Sequence, residues 1–303
     1  MLKTSVDRYI SLRRTLGYQL NYVGTLLHSF ADFANERGDT HIIASTAVEW
    51  ATACSSPLRR HARLQSIVLL ARFLHAEDPK HEIPPPLLFS TPYPRPLPYI
   101  YSHDELGRIV AAARRICQTY PLRRETYTTL FGLIAATGLR ISEALDLQLP
   151  DVQEDGVLFI HHGKGGKSRI VPLHPTVVKV LGSYLEVRRR LPDVDDHLFL
   201  SAGRRRISHG MANYTFRRVL RLAGIGRIGR RACRSHDMRH TFATRSLEKC
   251  PHRREDVAQH FVALATYLGH TQIAHTYWYL EATPELMEDI AKAADVVIGK
   301  EGA

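Results

Sequence analysis

Gly156–Leu173 reads GVLFIHHGKGGKSRIVPL. Strand-forming residues alternate on both sides of a glycine turn, the pattern of a β-hairpin. Its GGKS segment ends like a phosphate-binding P-loop, which needs Gly-x-x-x-x-Gly-Lys-Ser/Thr. Counted back from Gly166, the first glycine position holds His161. A P-loop must also open a helix, so that helix-end amides hold phosphate, whereas Arg169–Leu173 reads as a strand. Nucleotide binding is excluded on both counts. A tight turn is left, projecting Lys164 and Lys167 outward.

Helical patterns flank the hairpin. Downstream they cover about 175–190, 209–223, 237–249 and 255–268; upstream, 104–116, 125–137 and Ile141–Leu147. Ser102, His103, Asp104 and Glu105 form a helix start. The fold class is therefore mainly α with a small antiparallel β-sheet. The clearest break is IPPPLLFSTPYPRPLP, Ile83–Pro98, where proline removes backbone donors and blocks helices. It divides the chain into residues 1–85, a linker over 86–100, and residues 101–303. The first part reads as helical: Leu12, Leu16 and Leu20 share one face, as do Leu26, Leu27, Phe30 and Phe33. Residues 58–75, LRRHARLQSIVLLARFLH, turn Leu64, Ile67, Val68 and Phe73 toward a core. Arg59, Arg60 and Arg63 lie together on the first turns of that helix.

The 303 residues carry a formal charge of +11, which suits a polyanionic partner whose counterions Lys and Arg displace. Basic clusters occur at Arg59, Arg60 and Arg63, at Arg204, Arg205 and Arg206, and at Arg227, Arg230, Arg231 and Arg234. Arg188–Arg190 reads as the solvated end of a helix. The four cysteines are scattered without a CxxC pair, which argues against structural zinc or a disulfide framework. With no signal peptide or membrane-length apolar run, the expected location is the cytoplasm, at the nucleoid if the partner is DNA.

Chemistry-bearing residues fall in four places. In HDMRH, His236 and His240 have zincin spacing, but Asp237 stands where the glutamate should be and Arg239 would place a cation between the ligands. The better pair is His236 and Arg239, which share a helix face and offer a proton carrier beside a guanidinium fork for phosphate oxygens. In TGLRISEAL, Arg140 opens a helix and Glu143 is placed to brace it. In YLGHTQIAHTYWYL, Gly269 ends a helix, His270 follows, and Tyr277 and Tyr279 share the next turn.

Taken in order, TGLRISEAL, HGKGGKSRIVPL, SHDMRHTFAT and LGHTQIAHTYWY resemble the motifs of tyrosine recombinases, the phage integrase family. The resemblance runs from about Ser102 to the C-terminus. Position by position it implies Arg140, Lys164, His236, Arg239, His270 and Tyr279 as the catalytic set. Tyr277 competes as nucleophile by composition, and the family's spacing from His270 favours Tyr279. The interval from Arg239 to His270 is longer than is usual in the family, with KCPHRREDV as the excess.

The resemblance further implies a two-domain clamp on double-stranded DNA, with a helical core-binding (SAM-like) domain over residues 1–85 and a catalytic domain over 101–303. The reaction would be site-specific cleavage and rejoining through a 3′-phosphotyrosyl link, serving integration, excision or resolution of a mobile element or replicon. No cofactor, metal, membrane or small-molecule substrate is expected. Arg59, Arg60, Arg63, Lys167, Arg169, Arg204, Arg205 and Arg206 are the candidate DNA contacts. The tail EATPELMEDIAKAADVVIG, an amphipathic helix with Leu286, Ile290 and Val297, would support a tetramer on paired sites. Alternatives are type IB topoisomerase-like relaxation of DNA and a DNA-binding accessory protein without catalysis.

Overall fold

The computed structural model describes residues 2–89, 97–116, 120–161, 168–191, 195–226, 233–249 and 254–269. The chain divides into two compact units, Met1–Pro96 and Leu97–Ala303, and the division falls inside the proline-rich stretch.

In the first unit α1 (Leu2–Thr15), α2 (Asn21–Glu36), α3 (Ala44–Thr52) and α4 (Pro57–His75) surround a core of Val6, Leu27, Phe30, Trp50, Leu64 and Ile67. Pro57 opens α4, where its missing N–H is not needed. The Leu12–Leu16–Leu20 face is not the buried one. Gly17, at φ 87°, ends α1 two residues beyond Thr15, so the leucine spacing runs past the helix end. Leu16 is 63% exposed, and Leu2, Val6, Tyr9 and Ile10 are buried instead. The start of the proline-rich stretch is not an open connector either. Phe89 packs on this core, the Gln65 amide donates to the Pro86 carbonyl, and a His61 ring nitrogen lies 3.2 Å from the Phe89 carbonyl.

The second unit contains α5 (His103–Arg115), α6 (Pro121–Thr137), α7 (Ile141–Asp146), β1 (Val157–Ile160), β2 (Arg169–Pro172), α8 (Pro175–Arg189), α9 (His209–Leu222), α10 (Ser235–Glu248) and α11 (Arg254–Leu268). Ser102 and Glu105 close a capping box at the start of α5. β1 and β2 pair antiparallel, with Leu158 opposite Val171. The core centres on Tyr127, Phe131 and Ile134 of α6, with Phe216 of α9 edge-on to Phe131 at 5.1 Å. Arg189 and Arg190 are exposed at the end of α8, but Arg188 is not. It is 2% exposed, and its guanidinium donates to the carbonyls of Asp195 and His197, satisfying a loop that would otherwise bury bare acceptors. Among the described residues, no helix is long and apolar enough to cross a membrane.

Candidate active site

The site forms where α6 gives way to α7, against the C-terminal end of α11. Gly138 closes α6 in the left-handed region, at φ 64°, and a Cβ there would meet Phe242 of α10 at 2.6 Å. Glycine is therefore required both for the turn and for the approach of α10. The turn places Arg140 ahead of α7, where its backbone N–H donates to Glu143 Oε2 at 2.9 Å and its Nη1 to Oε1 at 2.6 Å.

Arg239 comes from α10. It is 1% exposed, and it donates from Nη1 to the Gly138 carbonyl at 2.8 Å and from Nη2 to the Leu268 carbonyl at 2.6 Å. His236, one turn earlier on the same helix, is exposed. Asp237 is fully buried and accepts from the Arg234 backbone N–H at 2.8 Å, which fixes the first turn of α10.

A third guanidinium joins them. Arg169 Nη1 and Nη2 fork onto Glu143 Oε1 and Oε2 at 3.0 and 2.8 Å, while its Nε donates to the Tyr267 carbonyl at 2.8 Å. Arg140 reaches the Leu268 carbonyl at 3.4 Å and the Gly269 carbonyl at 3.2 Å. Three consecutive carbonyls at the end of α11 thus accept from arginines. A helix C-terminus leaves acceptors unpaired and carries partial negative charge, so it and Glu143 together hold three cations side by side. Burial alone would raise the Glu143 pKa. Hydrogen bonds and charge from Arg169, then from Arg140, outweigh it and hold the carboxyl at about 2. One anion among three guanidiniums leaves positive charge in excess. Among the described residues, Arg140 retains Nε–H and one Nη2–H of its five donors for another acceptor.

Lys164, Lys167, His270, Tyr277 and Tyr279 lie outside the described residues, as do Arg227, Arg230, Arg231 and the tail with Leu286, Ile290 and Val297. Of the basic residues expected on DNA, Arg59, Arg204 and Arg205 are exposed. Arg60 donates from Nε to the Cys54 carbonyl, and Arg63 lies over the Trp50 ring at 3.9 Å. Arg206 pairs with Asp146. Arg169 departs most from expectation. Its side chain is 9% exposed and faces Glu143, not solvent. The signal was present in the strand alternation: Arg169 shares a face with the fully buried Val171, while Ile170 between them is 60% exposed.

Residues 100–285 match the model of the phage integrase family. The chain belongs to this family. It is 37% identical over 297 residues to the y4rB integrase/recombinase of Sinorhizobium fredii, covering 95% of each protein. It is 31% identical over 255 residues to the tyrosine recombinase XerD of Caulobacter vibrioides, covering 82% of this chain and 78% of that protein. Its fold resembles the XerH site-specific recombinase bound to a palindromic difH substrate, with a TM-score of 0.67 at 20% identity over 91% of this chain and 79% of that one. As a member of the phage integrase family it is a site-specific tyrosine recombinase, which cleaves and rejoins DNA strands, and the arginine cluster lies within the matched region.

Proposed function

We propose that Tyr279 attacks the scissile phosphodiester and becomes joined to it as a 3′-phosphotyrosine. Arg140 and Arg239 hold the non-bridging oxygens, where negative charge develops in the transition state. His270 adds a hydrogen bond to the same phosphate. A tyrosine hydroxyl with an ordinary pKa near 10 needs a proton acceptor as it attacks, and His236 fills that role. Lys164 gives its proton to the departing 5′ oxygen. The phosphotyrosyl bond keeps the energy of the bond it replaces, so the 5′ hydroxyl of a partner strand can displace Tyr279 without ATP.

The observation that carries this reading is the convergence of Arg140 and Arg239 on the last turn of α11, one residue before His270. Arg59, Lys167, Arg204 and Arg205 are proposed phosphate contacts that set register without reading bases. Two DNA sites are brought together by a tetramer, joined through the C-terminal tail, in the exchange of a mobile element or the resolution of a replicon, within the nucleoid.

A nicked substrate that loses its 5′ end after cleavage tests the chemistry. A covalent adduct should accumulate with the wild type and with Tyr277→Phe, and none with Tyr279→Phe. An adduct that persists in Tyr279→Phe would move the nucleophile to another residue. Gel filtration with two-site DNA should give a four-protomer complex, and monomer complexes alone would overturn the assembly.

A further inference from the structure

We propose that Arg169 is a positioning residue for strand cleavage, not a contact to DNA. The inference rests on the recombinase reading above and concerns how Glu143, the carboxylate that braces Arg140, is held in place. All three nitrogens of the Arg169 guanidinium are engaged: Nη1 and Nη2 by the Glu143 carboxylate and Nε by the Tyr267 carbonyl. Its side chain is 9% exposed. At that exposure, the one N–H left on each of Nη1 and Nη2 offers a phosphate little access.

The consequence lies in which oxygen Arg169 occupies. Glu143 Oε2 sits 2.8 Å from Arg169 Nη2 and 4.0 Å from Arg239 Nη1. Arg169 therefore holds the nearer place on Oε2, with Arg239 further out in the same ion-pair cluster. Arg239 keeps its donors on the Gly138 and Leu268 carbonyls. Without Arg169, the carboxylate that pairs with Arg140 would lose its fixed place. Arg169 also ties β2 to the last turn of α11, fixing the residue before His270 to the strand that follows Lys164. Gly269 is shaped to this contact. Its φ is 66°, and a Cβ there would stand 2.8 Å from Arg169 Nη1. The glycine lets the guanidinium lie against the turn.

The test separates binding from chemistry. With Arg169→Ala, affinity for the target duplex and its salt dependence should stay within about twofold of wild type. Loss of a phosphate contact would instead weaken binding and reduce the salt slope by about one. Adduct formation on the nicked substrate at saturating protein should slow on the order of 10²-fold, as expected for misplaced catalytic groups. Arg169→Lys keeps the charge but not the fork, so it should recover part of the rate; it gives the same reading if the alanine variant does not fold. In a double-mutant cycle, Gly269→Ala should cost less rate in Arg169→Lys than in wild type, because the flatter guanidinium it strikes has gone. Weakened binding with a normal rate at saturation overturns the inference, and so do additive effects in the cycle. Failure of the wild type to form any adduct would instead overturn the recombinase reading.

Discussion

Each unit closes on a polar cluster that joins distant segments, and the two differ in how much charge they gather. In the helical unit, His81 Nδ1 accepts from the Ile42 N–H at 3.0 Å, and His41 Nε2 lies 3.1 Å from Asp78 Oδ2. The two imidazoles stand 5.0 Å apart. Burial, then the charge of His41, pushes the His81 pKa below its usual 6.5, so this cluster favours a neutral ring. In the catalytic unit, Glu143 is held ionised by the arginines that it separates. One cluster keeps a neutral ring beside an ionised carboxylate and serves the fold. The other concentrates charge, and the excess is what a phosphate can use.

The largest effect is expected at Glu143. Glu143→Gln leaves three buried or half-buried guanidiniums without their anion, and removing one partner from a buried ion pair typically costs about 3–5 kcal/mol. Denaturant unfolding should show that loss in the catalytic unit, with the helical unit's transition unmoved. A single shared loss would mean that the two units do not unfold independently. Next in size is Arg140→Ala. Removing this proposed phosphate donor should slow cleavage by about 10²–10³-fold, while duplex affinity changes little.

Titration sharpens the same contrast with a sign for each unit. The Glu143 pKa is lowered on folding, so its contribution is complete above about 4.5 and is lost as the pH falls from 4.5 toward 2. The His81 pKa is also lowered, and there the unfolded chain takes up the proton first. Stability of the helical unit should therefore start to fall below pH 6.5. Acid unfolding followed unit by unit should show the helical unit yielding at the higher pH. The reverse order would contradict the assignment of the two clusters. The smallest effect is expected from Arg63→Ala, which removes a cation from the Trp50 ring and should lower helical-unit stability by about 0.5–1 kcal/mol.

The two units were also unequally legible in sequence. Phosphoryl transfer needs set residue types at set places, so Arg140, His236 and Arg239 stood out beside Gly138 and Gly269, and the helices and hairpin of the catalytic unit followed from periodicity and capping. The helical unit carries no such chemistry. Its first helix had to be read from leucine spacing, which ran past the end that Gly17 imposes. What stayed hidden was tertiary. No local pattern announces that Arg188 caps a loop, or that backbone carbonyls at the end of α11 share the arginines with Glu143. Arg169 was the middle case: strand alternation turned it inward, but its charge suggested the opposite.

On the proposed mechanism, the Glu143 cluster leaves Arg140 a positive charge for the scissile phosphate. The direct measurement compares wild type with Arg140→Ala on an ordinary substrate and on one whose scissile phosphate carries a neutral methyl group in place of a non-bridging oxygen. A neutral phosphate no longer needs the full cationic clamp, so the Arg140→Ala defect should shrink by about tenfold or more on that substrate. A defect of equal size on both substrates would contradict the account.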